Sequence, residues 1–120
     1  MNKVILINAA FTKDGLNLSP EDENTLINNC DIVFHNAACV QFDRGIHEIC
    51  DTNVGGLKNL LELSKSMKNL KAFVFCSTAF SQYTGILLEE RGYDPPIELA
   101  NLRQILDKFD ENLINPLTAK

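Results

Sequence analysis

The sequence lacks the features that mark several large functional classes. It has no cluster of Lys or Arg and its formal net charge is −5, which argues against nucleic-acid binding because phosphate contacts need concentrated positive charge. No apolar run approaches the roughly 20 residues of a membrane-spanning helix. The apolar stretch at residues 4–7 is too short for a signal peptide and fits a strand better. We therefore expect no nucleic-acid partner and no transmembrane segment.

The chain also lacks the common metal-binding and catalytic motifs. None of its four cysteines forms a Cys-x-x-Cys pair, and His35 and His47 lie outside the spacings of zinc ligands. There is no Gly-x-Ser-x-Gly elbow, no phosphate-binding loop and no glycine-rich dinucleotide fingerprint. We expect no metal, and reduced, mostly buried thiols in a protein that faces the cytosol.

Apolar runs and helical patterns alternate along 120 residues, a length that suits one domain. Ser19 can cap a helix that starts at Pro20. A longer helix contains Gly55-Gly56, where each glycine costs roughly 1 kcal/mol against alanine, a cost that close packing against the sheet would explain. Strands alternating with helices indicate parallel βαβ units and an α/β fold. The predicted order is strand 3–10, helix 20–29, strand 31–34, helix 45–67, strand 71–76 and, after an irregular stretch, helix 97–109.

Two of the predicted strands end in small or hydroxyl residues. The stretch at residues 31–43 passes from an apolar run to His35-Asn36 and then to two alanines, and the next strand ends at Ser77-Thr78-Ala79. Ligands of open α/β sheets lie outside the carboxyl ends of the strands. Small side chains there let a ligand approach the main chain, so we expect a ligand along residues 36–40.

Four polar residues are candidates for chemistry, and each has a structural alternative. Ser77 or Thr78 could hydrogen-bond a substrate carbonyl, or could merely cap the next turn. Asn53 interrupts the apolar face of the long helix, and could act in a site or be a satisfied buried amide. His35 could be a base, but it lies at a strand end among alanines with no carboxylate at motif spacing. Glu89-Glu90-Arg91 fits a solvated loop better than an acid pair.

Several stretches together resemble a known family. The motif HNAA at 35–38, TNVGG at 52–56 and FVFCSTA at 73–79 are similar to motifs of the short-chain dehydrogenase/reductases. The longer stretches at 35–43 and 51–80, together with YDPP at 93–96 and LSPED at 18–22, resemble the fatty acyl-CoA reductase branch, the male sterility type of extended reductase. The resemblance covers nearly the whole chain, and the QFD and YDPP segments argue against a sugar-nucleotide epimerase.

The resemblance implies a fold and a reaction. The fold is a partial Rossmann-like, doubly wound parallel sheet of about three strands with flanking helices. The family transfers hydride from NADPH to a fatty acyl-CoA, usually twice, to give a fatty alcohol. Family members are often on peroxisomal or endoplasmic reticulum membranes. NADPH is thus the implied cofactor and a fatty acyl-CoA the implied substrate.

The resemblance also implies roles for single residues. Thr78 would orient the carbonyl, with Ser77 as the adjacent candidate, as negative charge develops on oxygen. Asn53 would be the helix amide that supports the active-site framework. The implied cofactor-binding residues, along the ribose and diphosphate, are Asn36, Ala37, Ala38 and Val40.

The sequence departs from the family pattern at several points. No glycine-rich loop is present, and neither Tyr83 nor Tyr93 has the lysine four residues on that a Tyr-x-x-x-Lys pair needs. Ala9-Ala10 replaces the usual Gly-Asp, and Gln41 replaces a common basic residue. We therefore expect residues 1–120 to be a middle segment of an NAD(P)-binding domain, inactive by itself and prone to self-association through an exposed sheet edge. The alternatives are a non-catalytic interaction module derived from that fold, or another extended reductase or epimerase.

Overall fold

The computed structural model describes residues 3–41, 43–81 and 87–117. The chain divides into two compact units, Met1–Cys76 and Ser77–Lys120. The first unit is mixed α/β, and the elements described in the second are helical. Among the described residues, no helix combines the length and apolar character that crossing a bilayer requires. Phe42, just beyond the predicted ligand-facing residues 36–40, and Tyr83 lie outside the described residues.

The first unit is built around two parallel strands, β1 at Ile32–His35 and β2 at Ala72–Phe75. Their register pairs Ile32 with Ala72 and His35 with Phe75. This confirms the parallel pairing that the alternation of strands and helices predicts. The helices of this unit are α1 at Pro20–Asn29, α2 at Ile46–Cys50 and α3 at Gly56–Lys65, with a 3-10 turn at Asp14–Asn17 before α1.

The predicted strand at residues 3–10 is wrong, since the sheet in the described part of the chain has two strands rather than three. Val4, Ile5 and Leu6 are 72%, 73% and 92% exposed. A β-strand exists only through hydrogen bonds to a neighbour, and no described residue forms a ladder with this segment. An apolar run reveals β-propensity but not whether a partner strand is available.

The beginning of α1 confirms the helix start that the sequence predicts. Ser19 accepts a hydrogen bond from the backbone N–H of Asp22 at 3.1 Å, and Pro20 takes the first helical position. The end of the helix is tied to the segment before β2, where the N–H of Lys68 donates to the carbonyl of Ile27 at 2.9 Å. This bond ties the end of α1 to the segment between α3 and β2.

The long predicted helix at 45–67 is helical from Ile46 to Lys65, with a π-helical turn at Asp51–Gly55 between α2 and α3. A Cβ on Gly56 would lie 3.2 Å from the Cβ of Phe11, so this glycine does mark a close approach. The partner is a loop residue rather than the sheet, which corrects the prediction. A Cβ on Gly55 would meet its nearest neighbour, the carbonyl oxygen of Cys50, only at 4.0 Å. π turns of this kind occur frequently at functional sites.

The core of the first unit lies between α3 and the 3-10 turn. Leu16, Leu63 and Met67 are its buried residues, and Leu16 is 2% exposed although its φ of 57° lies in the left-handed region. That conformation costs an L-residue on the order of 1–2 kcal/mol, which burial of the side chain offsets. The partly buried residues packed against this core include Leu26 and Ile27, which confirms the predicted inward face of α1.

The second unit contains α4 at Leu99–Lys108 and α5 at Glu111–Ile114. The first of these confirms the helix predicted at 97–109 to within two residues. Asp110 caps α5 by accepting a hydrogen bond from the N–H of Leu113 at 3.0 Å, and Ile114 is buried. A 3-10 turn at Ala79–Ser81 follows the hydroxyl pair Ser77-Thr78.

Candidate cofactor cleft

A cleft of about 420 Å³ lies against the loop that follows β1. The main chain leaves the strand at His35 and passes through two alanines, whose methyl groups form part of the cleft wall. The predicted cofactor residues Ala37, Ala38 and Val40 all line this cleft, whereas Asn36 is exposed and is not among the lining residues. The other lining residues are Phe11, Cys39, Gln41, Arg44, Glu48 and Thr52.

The loop is held in place by Asn53, in the π turn. The Asn53 Oδ1 accepts a hydrogen bond from the backbone N–H of Cys39 at 2.7 Å, and its Nδ2 donates to the Cys39 carbonyl at 3.0 Å. The side-chain amide therefore pairs with the main chain of the loop as a neighbouring strand would. This is the satisfied amide that the structural alternative predicts, and it also fixes the wall that contains Ala38 and Val40.

His35 belongs to the packing below the cleft. Its side chain is 3% exposed, and its ring stacks on Phe11 at 5.8 Å and on Phe75 at 5.6 Å between centroids. The ring thus connects the cleft residue Phe11 to β2. An imidazole enclosed by two aromatic rings acts as a packing residue. This agrees with the sequence, which offers His35 no carboxylate at the spacing that a catalytic base needs.

Charge in the cleft comes from a paired Arg and Glu. Arg44 donates hydrogen bonds to the carboxylate of Glu48 and to the side-chain oxygen of Gln41. The hydrogen bond and the negative charge of Glu48 raise the pKa of the Arg44 guanidinium above its usual value. The pair is half exposed, so solvent screens it. The cleft therefore presents a positive group that is already balanced by a carboxylate.

No motif in the sequence indicates Arg44, Glu48 and Thr52 as cleft residues. These side chains recur every four residues, the spacing that places residues on one face of a helix. That spacing was the available signal in the sequence. Phe11 gave no comparable signal, because it reaches the cleft only through the fold of the loop before α1.

Ser77 and Thr78 belong to the second unit. The Thr78 Oγ1 accepts a hydrogen bond from the N–H of Phe80 at 3.2 Å, and its carbonyl accepts one from the Ser81 hydroxyl at 2.9 Å. Thr78 therefore caps the turn, as the structural alternative predicts. A hydroxyl that accepts through a lone pair keeps its own O–H as a donor. Ser77 is exposed.

The segment Glu89-Glu90-Arg91 and one of the cysteines lie on the surface. The Nε of Arg91 pairs with a carboxylate oxygen of Glu89 at 2.8 Å, both 61% exposed, which confirms a solvated loop. Three cysteines are half buried, but Cys76 is exposed, contrary to the expectation of mostly buried thiols. Cys76 lies just beyond β2, at the end of the sheet. Within residues 3–41, 43–81 and 87–117, no three His, Cys, Asp or Glu side chains are grouped as metal ligands.

Comparison with known proteins places these features in a family. Residues 1–118 match the NAD-binding family described as "Male sterility protein". "Fatty acyl-CoA reductase 1" of Xenopus laevis is 38% identical over 118 residues, which are 98% of this chain and 23% of that protein. The Homo sapiens protein of the same name is 35% identical with the same coverage. "Fatty acyl-CoA reductase wat" of Drosophila melanogaster is 33% identical over 97% of this chain and 22% of its own length.

The chain thus spans less than a quarter of the length of the curated relatives it matches. No solved structure matches it significantly. The family match covers the cleft, the central helix with its π turn, and the hydroxyl pair after β2. The chain belongs to the male sterility protein family of NAD-binding domains.

Proposed function

We propose that this chain provides part of the cofactor site, and residues of the substrate site, of an NADPH-dependent fatty acyl-CoA reductase. The observation that supports this most directly is the cleft whose wall contains Ala37, Ala38 and Val40, held by the Asn53 side chain. The relatives named fatty acyl-CoA reductase support the reaction class. In this proposal the two strands and their flanking helices are part of a larger Rossmann-like, doubly wound sheet.

The cleft residues fit one wall of a dinucleotide site. A volume of about 420 Å³ lies within the range of ligand pockets, roughly 300–1,000 Å³. The methyl groups of Ala37 and Ala38 allow a ribose and diphosphate to approach the main chain, while the Thr52 hydroxyl and the Gln41 amide offer hydrogen bonds. When bound, a nicotinamide cofactor supplies the hydride.

The protein's own residues then orient the acyl group. The Thr78 O–H, whose oxygen already accepts from Phe80, donates to the thioester carbonyl oxygen and stabilises the charge that develops there. Ser77 is the second candidate for this donor. Asn53 acts in this scheme through the Cys39 main chain. Because the 120 residues contain no Tyr-x-x-x-Lys pair, we expect the chain by itself to form no fatty alcohol.

Cofactor binding can be tested by titrating the purified chain with NADPH and with NADH while recording ¹⁵N–¹H spectra. We expect weak binding whose shifts concentrate at the amides of residues 37–41. The variant Ala38→Leu fills the cleft and should remove these shifts, whereas Ala100→Leu on the exposed face of α4 should not. Shifts scattered over the surface, or an undisturbed cleft at millimolar NADPH, would reject the proposal.

The hydroxyl donor can be tested in a chimera in which residues 1–118 replace the matching segment of the Xenopus laevis enzyme. If the chimera forms fatty alcohol from acyl-CoA and NADPH, Thr78→Ala should reduce kcat far more than Ser77→Ala does. The reverse order would assign the role to Ser77. If both variants kept the activity of the unsubstituted chimera, neither hydroxyl would be needed for the reaction.

A second candidate function is an interaction module, which the outer face of the sheet favours. Ile32, Phe34 and Val74 are 48%, 73% and 43% exposed on that face, and parallel sheets are ordinarily covered on both sides. This proposal expects the chain to self-associate as its concentration rises in light scattering. Phe34→Lys should suppress the association, while Leu113→Lys, an exposed position in the second unit, should leave it unchanged.

A further inference from the structure

The cleft residue Phe11 lies in a loop that is attached to the same helical segment as the loop that contains Cys39. The Nδ2 of Asn59, in α3, donates hydrogen bonds to the carbonyl of Phe11 at 2.9 Å and to the carbonyl of Lys13 at 3.0 Å. A carboxamide nitrogen has two hydrogens, so one side chain can satisfy both carbonyls. The loop that presents Phe11 is therefore tied to the helix across 46 to 48 residues of sequence.

The contacts of Phe11 leave its ring little freedom to move. On one side the backbone of Gly56 is so close that an added Cβ would lie 3.2 Å from both the Cβ and the Cδ1 of Phe11. On the other side the ring stacks on buried His35 at 5.8 Å. The ring also lines the cleft that contains Ala37 and Ala38. Its position thus depends on where the backbone of its loop is held.

We propose that Asn59 is a positioning residue for the cleft, which acts by fixing the Phe11 ring as its second wall. Asn53 fixes one wall through the Cys39 main chain, and Asn59 fixes the other through the Phe11 and Lys13 carbonyls. The two asparagines lie six residues apart in one continuous helical segment. This segment therefore sets the separation of the walls. The identity of the ligand rests on the proposed function, but the role of Asn59 in positioning the Phe11 ring does not depend on it.

A fluorescent reporter distinguishes positioning from general stabilisation. The chain contains no tryptophan, so F11W places a single indole in the cleft wall. In the F11W background, Asn59→Asp keeps the side-chain shape but replaces the donating nitrogen by a carboxylate oxygen facing two carbonyls. We expect the emission of the F11W indole to shift to the red and its quenching by acrylamide to increase, with unchanged far-ultraviolet circular dichroism.

A matched control is available at Asn69, whose Nδ2 donates to the Asn28 carbonyl at 2.6 Å and which does not line the cleft. In the same background, Asn69→Asp replaces the donor of one exposed side-chain bond to a backbone carbonyl and should leave the emission unchanged. Asn59→Gln keeps the donor and should restore part of the original emission. If the aspartate variant does not fold, Asn59→Ser, which is too short to reach both carbonyls, takes its place.

The outcomes separate this inference from the proposed function. Unchanged emission in a folded F11W/N59D protein, or an equal shift in F11W/N69D, would overturn the positioning role. If the emission shifts as expected but NADPH disturbs no cleft amide, the positioning stands and the cofactor proposal fails. If the F11W protein binds NADPH, N59D should weaken that binding while N69D does not.

Discussion

Asn53→Ala should release the loop that follows β1 while preserving the rest of the first unit. The substitution removes two hydrogen bonds and leaves the N–H and the carbonyl of Cys39 unpaired in a partly buried position. Unpaired groups of this kind cost about 1–3 kcal/mol. For a chain of 120 residues, a loss of this size corresponds to a decrease in Tm of roughly 4–12 °C.

Two measurements test this prediction. Thermal unfolding reports the change in Tm, and amide hydrogen exchange reports protection at Cys39 itself, which we expect to fall more than protection in β1. Asn53→Asp keeps the acceptor for the Cys39 N–H but places an oxygen against the Cys39 carbonyl, so it should lie between wild type and Asn53→Ala. Asn69→Ala removes an exposed side-chain bond and should have little effect on Tm.

Unchanged exchange at Cys39 in the Asn53→Ala protein would refute the reasoning, because the amide would then owe its protection to something other than Asn53. A uniform loss of protection throughout β1 and α3 would also contradict it. That result would make Asn53 a residue of the core and not an anchor for one loop.

Three further predictions follow from single contacts. Gly55→Ala should stabilise the helix by up to about 1 kcal/mol. Gly56→Ala should stabilise it less, or destabilise it, because the added methyl group would lie 3.2 Å from Phe11. Chemical denaturation of the two variants measures both free energies of unfolding. Ser19→Ala should lower the free energy of unfolding by about 1 kcal/mol through loss of the α1 cap, measured in the same way. Burial raises the pKa of the Cys50 thiol, so less of it is thiolate in the folded chain. Its alkylation by iodoacetamide near about pH 8–9 should therefore be slower in the folded than in the denatured chain, and should accelerate as pH rises further. Mass spectrometry measures the rate of alkylation.

Local signals predicted much of the fold because they act within a few residues. The cap at Ser19 and the apolar stripe of α4 need only neighbouring residues to take effect, and both elements lie where the sequence predicts them. The strand at residues 3–10 was predicted wrongly for the opposite reason. Its apolar character is local, but a strand requires hydrogen bonds from a distant segment.

The candidate site shows the same division. Ala37, Ala38 and Val40 could be predicted because small residues after a strand are visible in the sequence, and the structure places all three in the cleft. Their proposed contacts with a cofactor remain a prediction. Phe11 could not be predicted, because its place depends on Asn59, which bonds to its carbonyl from 48 residues away.

The sequence by itself determined the family, the parallel strand pair, the helix starts and the small-residue loop after β1. These depend on residue type and local spacing. Only the tertiary structure decided that Asn53 and Asn59 bond to the main chain of two loops that line one cleft, that Phe11 and Arg44 line it, and that residues 3–10 stay outside the sheet. Those outcomes depend on hydrogen bonds and packing between segments far apart in the chain, for which no local pattern encodes the partner.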